Sequence, residues 1–249
     1  LQHSSAAKLD PAERGESGKI EGEVTHAFQF SEDVNAPIVR VRELGELGAE
    51  DHGRILGKSA DDDRTGLQLW AASLVLSRWL VDLAPQIRGK GVVELGAGCG
   101  AVGLSCAALG ARHVALTDFD AGVVELLKEN ARNNYLRAGC DCYELDVAQP
   151  PREPRAEFDL VVGSECVYYG ACDAVPALVE ASVGKDGDLC GVFCMADSRA
   201  GIDAFATAAR KRFRYERRPF PKSLRRRARR LNAELAAENT YSLHLLYRM

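Results

Sequence analysis

The sequence predicts an α/β fold: a seven-stranded, mostly parallel sheet closing in an antiparallel C-terminal hairpin, with a β-hairpin and a helix ahead of it. Three observations predict it. Five short apolar runs alternate with helix-length segments between Gly91 and Phe213, as parallel strands joined by helical crossovers do. The first run ends in Gly96-Ala97-Gly98-Cys99-Gly100, and the second ends in Asp118, twenty residues after Gly98. The last two runs lack the usual crossover and therefore pair antiparallel.

Taken in order, residues 1–22 are polar, lack a signal-peptide core and read as a flexible tail. Residues 23–249 read as one domain, because 249 residues at 46% hydrophobic can bury one sizeable core. Residues 23–30 and 38–42 form a hairpin around Asn35-Ala36-Pro37, and residues 45–64 are a polar loop. Residues 66–83 have Leu69, Ala72, Leu76, Trp79, Leu80 and Leu83 at helical spacing, with Pro85 closing the helix. Strands follow at 91–95, 113–117, 140–147, 158–167 and 189–196, and helices at 102–109, 121–136, 173–183 and 202–213. Asp120 stands where it can cap the second of these helices. Residues 213–217 and 241–247 supply the closing strands, separated by Pro219-Phe220-Pro221 and a basic helix over about 223–238.

Composition excludes several classes. No apolar run reaches the roughly 18 residues of a membrane-spanning helix. The eight cysteines include no Cys-x-x-Cys pair, and with five scattered histidines they form no metal-ligand cluster. Cys99, Cys106, Cys166, Cys190 and Cys194 lie in apolar segments and read as small hydrophobes of a reduced intracellular protein. No metal is expected. The net charge of −4 conceals an asymmetry: residues 210–230 hold twelve Lys or Arg and one acid, leaving 20 basic and 35 acidic residues elsewhere.

Gly96-Ala97-Gly98-Cys99-Gly100-Ala101 fits the nucleotide-binding pattern Gly-x-Gly-x-x-Ala, in which side-chain-free backbone approaches a ligand. By itself it leaves two cofactors open, a nicotinamide dinucleotide and S-adenosyl-L-methionine. Asp118, at the end of the second strand, is placed to accept the ribose hydroxyls. Glu94, just before the glycines, would repel a pyrophosphate and suits an amine or sulfonium, which favours the second cofactor. The run from Phe158 to Tyr168 carries Glu165 and Tyr168 at its carboxyl end, where ligands of open α/β sheets bind. A salt bridge at the top of the sheet is the competing role for Glu165. Trp70 is equally a core aromatic or a ligand contact.

Thr65-Gly66-Leu67-Gln68-Leu69-Trp70-Ala71-Ala72-Ser73, Val93 to Gly100, Thr117-Asp118 and Phe158 to Tyr168 occur in this order and resemble methyltransferase family 16. The resemblance spans about residues 28–196. It implies a Rossmann-like seven-β-strand enzyme that uses S-adenosyl-L-methionine, in a group many of whose members methylate lysine in specific proteins. On that resemblance Trp70, Gly96, Ala97, Gly98, Asp118, Val147 and Ser164 contact the cofactor. Glu165 and Tyr168 fall on its Asp-x-x-Tyr motif and are the expected catalytic residues. The chain departs from the family in three places. Glu165 is one methylene longer than aspartate. Val147 stands where many members have a tryptophan, so Asp146 is expected to take the adenine amine. The basic helix lies outside the pattern.

The expected activity is methyl transfer to a protein lysine, with Glu165 accepting a hydrogen bond from the attacking amine and Tyr168 shaping the channel. A nicotinamide-dependent oxidoreductase and a non-catalytic cofactor-binding module are the alternatives. The 210–230 segment is expected to dock an acidic protein surface, with nucleic acid or the chain's own acidic body as other targets. The expected setting is a cytoplasmic or nuclear monomer with no membrane contact.

Overall fold

The computed structural model describes residues 23–29, 38–44, 65–134, 139–149, 157–167, 171–185, 187–221 and 240–249. The expected N-terminal tail, the 35–37 turn, the 45–64 loop, Tyr168 and the basic helix lie outside them.

Strands β1 (Glu23–Phe28) and β2 (Val39–Leu44) pair antiparallel as a separate two-stranded sheet. Alternation buries Phe28, Val39 and Val41 in the main core. The free edge of β2 is closed by side chains at the C-terminal end of a later helix, Ala121–Asn133. Asn134 receives the Arg40 N–H at 2.7 Å and donates to the Arg40 carbonyl at 2.6 Å, and Asn130 does the same for Arg42 at 2.9 Å each way. Two asparagines thus stand in for a neighbouring strand.

A 3₁₀ turn at Thr65–Leu67 leads to α1 (Ala71–Leu80), which begins later than the periodicity predicts. Pro85 does not close it. A second 3₁₀ turn (Val81–Leu83) intervenes, and Pro85 lies in the first turn of α2 (Ala84–Ile87), where its missing N–H would be unpaired anyway.

The main sheet comprises β3 (Gly91–Leu95), β4 (His113–Asp118), β5 (Gly139–Glu144), β6 (Leu160–Ser164), β7 (Leu189–Ala196), β8 (Arg214–Pro219) and β9 (Tyr241–Tyr247), in the order β5-β4-β3-β6-β7-β9-β8. The first five are parallel, while β9 pairs antiparallel with both β7 and β8. This is the predicted seven-stranded sheet with its C-terminal hairpin. Strand order reverses between β3 and β6, leaving a crevice beyond their carboxyl ends.

Both faces are covered, which is why the central strands are apolar on both sides. Val92, Val114 and Leu116 pack beneath α1, α3 (Ala101–Ala108) and α4 (Ala121–Asn133). Val93, Leu95 and Phe193 pack beneath α5 (Ala174–Ser182) and α6 (Ile202–Arg210). Asp120 caps α4, its Oδ1 accepting the Val123 N–H at 2.9 Å. All eight cysteines are free, and the five assigned to apolar segments are buried.

Two boundaries differ from those the sequence predicts. Strand β5 stops at Glu144, so Asp146 and Val147 lie in a turn rather than a strand. The Asp146 carboxylate takes the Ala148 N–H at 2.8 Å and the Gln149 amide at 3.0 Å, a local alternative that competes with continued pairing. Helix α6 ends at Arg210, and β8 begins only at Arg214.

Candidate active site

The glycine turn is set by its backbone. Gly96, Gly98 and Gly100 have φ of +59°, +52° and +82°, in the left-handed region that suits glycine. Space matters too. A Cβ on Gly98 would lie 3.2 Å from the Gly66 carbonyl oxygen, and one on Gly96 would lie 2.9 Å from Cys166 Cβ. The turn is therefore wedged between the Thr65–Leu67 segment and the chain that follows β6.

Hydrogen bonds fix it to the neighbouring strand end. Ala97 N–H donates to the Thr117 carbonyl at 2.8 Å, Gly98 N–H donates to Asp118 Oδ2 at 2.9 Å, and Thr117 Oγ1 donates to the Glu94 carbonyl at 2.6 Å. Burial raises the Asp118 carboxyl pKa, opposed by the amides of Gly98, Asp120 and Phe119. The two carboxylate oxygens keep lone pairs beyond those used by the amides. Phe119, the next residue, is 44% exposed and was not singled out by the sequence reading. An aromatic directly after the carboxylate that ends the second strand is the signal the sequence carries.

Glu94 is placed differently from what the sequence suggests. Its carboxylate is fully buried, with no exposed surface toward a ligand. Oε2 accepts the Gly103 N–H at 2.7 Å, while Oε1 is buried without a hydrogen-bond partner. Gly103 lies in the first turn of α3, whose N-cap, Gly100, has no side chain. Glu94 thus supplies from β3 the acceptor that a capping side chain would otherwise provide. Burial, with Asp118 adding to it, pushes the Glu94 carboxyl up to about 8.

Trp70 is half-buried at the N-terminus of α1, and its indole Nε1 donates to the Thr65 carbonyl at 2.8 Å. That bond closes the segment lying on the glycine turn. The same segment is tied to the N-terminal hairpin by Glu43, which accepts the Leu69 N–H at 2.8 Å and pairs with His26 at 2.7 Å.

Ser164 ends β6 and is half-buried. Glu165 follows with φ of +52°, the one non-glycine residue at positive φ among those described. For an L-residue that conformation costs about 1–2 kcal/mol and persists where neighbours dictate it. Here they do. Glu165 N–H donates to the Cys194 carbonyl at 3.0 Å, and Oε1 accepts the Ala196 N–H at 2.5 Å. Oε2 lies 2.6 Å from Arg199 Nη1, so the salt bridge held open as the alternative role is present. Burial raises the Glu165 carboxyl pKa, and the Arg199 guanidinium and Ala196 amide oppose the rise.

The structure therefore brings Gly96, Ala97, Gly98, Asp118, Ser164 and Glu165 to the carboxyl ends of β3, β4 and β6. Asp146 and Val147 follow β5, joined to the site through the Leu145 N–H, which donates to the Asp118 carbonyl at 2.8 Å. Arg199, which the sequence reading missed, lies in the turn between β7 and α6. A lone arginine after an apolar strand carries no signal of its own. Among the described residues no group of His, Cys, Asp and Glu could hold a metal.

A Rossmann-like α/β sheet with a glycine turn, a carboxylate on the adjoining strand and a second carboxylate across the switch point defines a nucleoside-cofactor-binding class. Residues 52–193 match the family described as lysine methyltransferase, and the chain belongs to that family. The mouse protein N-lysine methyltransferase METTL21A is 38% identical over 104 residues, covering 40% of this chain and 47% of that protein. The Arabidopsis thaliana calmodulin-lysine N-methyltransferase is 34% identical over 113 residues, 43% of this chain and 37% of that protein. The matched stretch thus spans less than half the length of either relative. The solved structure of a geranyl diphosphate methyltransferase in complex with SAM superposes with a TM-score of 0.55 at 12% identity, covering 82% of this chain and 93% of the other, a likeness of fold.

Proposed function

We propose that the chain is an S-adenosyl-L-methionine-dependent methyltransferase acting on a lysine side chain of a protein. The observation that carries this reading is the close approach of Gly96 to Cys166, which leaves no room for a Cβ on Gly96 and sets the glycine turn against the Glu165 segment. The turn that would hold a methyl donor and the carboxylate that would meet an acceptor are neighbours. Family membership and relatives named for protein-lysine methylation support the same choice.

The residues fit the cofactor. Gly96, Ala97 and Gly98 would present backbone to it, Asp118 has lone pairs left for the ribose hydroxyls, and Phe119 offers an apolar face beside them. Trp70 and Ser164 would flank it. Val147 would border the adenine more weakly than a tryptophan, and Asp146, already bonded within its own turn, would present only its remaining lone pairs to the adenine amine. Glu94 would support the turn from beneath, through α3. When bound, the cofactor supplies an electrophilic methyl group on a sulfonium. The chain's own task is to orient a neutral lysine amine in line with that methyl group. In this reading Glu165 accepts a hydrogen bond from the amine, and Tyr168 shapes its channel. Residues 23–249 would act as one cytoplasmic domain, working as a monomer. The 210–230 segment would dock an acidic protein surface.

Calorimetric titration with S-adenosylhomocysteine and, separately, NADH tests the cofactor. Binding of NADH without S-adenosylhomocysteine overturns the reading. Labelled S-adenosylmethionine added to an unmodified cell extract tests the substrate, with a labelled protein band expected and its lysine identified by mass spectrometry.

A further inference from the structure

We infer that Arg199 is a positioning residue for methyl transfer, holding Glu165 and the chain after it in the one arrangement that faces the acceptor amine. The inference rests on the reading of Glu165 given above. Three contacts carry it. Arg199 Nη1 pairs with Glu165 Oε2 at 2.6 Å, Nη2 donates to the Glu165 carbonyl at 2.9 Å, and Nε donates to the Val167 carbonyl at 3.1 Å. One planar guanidinium therefore fixes a side chain, the backbone of a residue at φ +52°, and the chain two residues further on. No lysine could do this, since an ammonium is a point charge without the rigid fork.

The pair also solves an electrostatic problem. A bare carboxylate beside a lysine amine stabilises its ammonium form, and only the neutral amine attacks. Arg199 cancels that field while leaving Glu165 lone pairs to accept a hydrogen bond. Among the described residues, the charged and titratable groups around Glu165 are Arg199, the buried thiol of Cys166 beside it, and the buried thiol of Cys194 on β7, with Asp197 beyond Cys194. The other side of Arg199 lines a cleft of about 490 Å³ with Asp197, Asp203 and Arg217, so the clamp lies between the carboxylate and open surface.

The test compares wild type with Arg199→Met, Arg199→Lys, Glu165→Gln and the Glu165→Gln/Arg199→Met pair. The Glu165 carboxyl resonance of protein labelled with ¹³C-glutamate is followed against pH without cofactor. In Arg199→Met it titrates at higher pH than in wild type, and in Arg199→Lys close to wild type. With S-adenosyl-L-methionine and, as acceptor, the protein identified by the extract labelling, Arg199→Met lowers kcat about tenfold to a hundredfold while KM stays level or falls, and the rising limb of the pH–rate profile moves alkaline. S-adenosylhomocysteine affinity stays within about twofold. In the Glu165→Gln background the arginine substitution has little further effect on kcat, because its action passes through that carboxylate. Equal kcat losses in both backgrounds, or an unmoved Glu165 titration, overturn the inference. Should Arg199→Met fail to fold, Arg199→Lys decides: it overturns the inference if kcat is wild type. Wild-type protein that binds no S-adenosylhomocysteine refutes the functional reading itself, a distinct result.

Discussion

Glu94 and Glu165 stand at the ends of adjacent parallel strands, Glu94 fully buried and Glu165 half-buried, each raised in pKa by the burial it has, yet they are different chemical objects. Burial pushes the Glu94 carboxyl up to about 8, with one backbone amide to oppose the rise and, among the described residues, no cation beside it. Glu165 has an amide and a guanidinium, which stabilise its charged form. The difference shows that depth and partners together decide whether a carboxyl is a structural strut or a polar tool.

The comparison can be broken most sharply at Glu94. Glu94→Ala removes the acceptor of the Gly103 N–H and leaves a cavity, and is expected to cost about 3 kcal/mol in urea denaturation. Glu94→Gln, which keeps the shape and an acceptor, costs under about 1 kcal/mol at pH 7. If Glu94→Gln were as damaging as Glu94→Ala, the strut would have to be charged. Glu165→Gln inverts the pattern: losing the ion pair with Arg199 costs about 1–2 kcal/mol, less than Glu94→Ala, while kcat for methyl transfer falls about a hundredfold. Gly98→Ala comes next. Its positive φ and the Gly66 carbonyl 3.2 Å from the added Cβ weaken S-adenosylhomocysteine binding about tenfold by calorimetry.

The smallest effect is one of slope, at most about 1.4 kcal/mol per pH unit for a single proton. Glu94 binds its proton more tightly folded than unfolded. Its contribution is complete below about 4.5 and declines as pH rises to about 8, and Glu94→Gln removes that decline. His244 works in the opposite direction. Burial, with Arg217 adding to it, lowers its pKa to about 4, so stability falls as pH drops from 6.5 toward 4. Urea midpoints across pH 4–9 for wild type and Glu94→Gln separate the two.

The parallel sheet and its glycine turn were legible because hydrophobic runs, glycines and terminal carboxylates are local signals. The 91–95 and 189–196 strands were read to the residue. Pro85 misled because proline starts a helix as readily as it ends one, and which it does depends on the chain ahead. Strand β5 was read too long because Val147 is apolar, whereas Asp146 had already offered its carboxylate to the next amides. The direction of Glu94 could not be read, since one strand residue lies on either face according to tertiary packing. Arg199 was invisible for a related reason: its meaning comes from Glu165, 34 positions earlier in the chain. Of the basic segment, the described part is engaged within the molecule, with Arg214 on Asp188 at 3.0 Å and Arg217 on Asp197 at 2.8 Å.

The placing of β9 between β7 and β8 has a consequence for the order of assembly. A nascent chain can pair β3, β4, β6 and β7 in turn as they are synthesised, but β8 then has no neighbour. It must wait, with β7 holding an open edge, until residues 241–247 arrive to bridge the two. Closure of that side of the sheet is therefore a late event governed by distant contacts. The wall bearing Cys194, Ala196 and Arg199, on which Glu165 depends, is completed only at that moment.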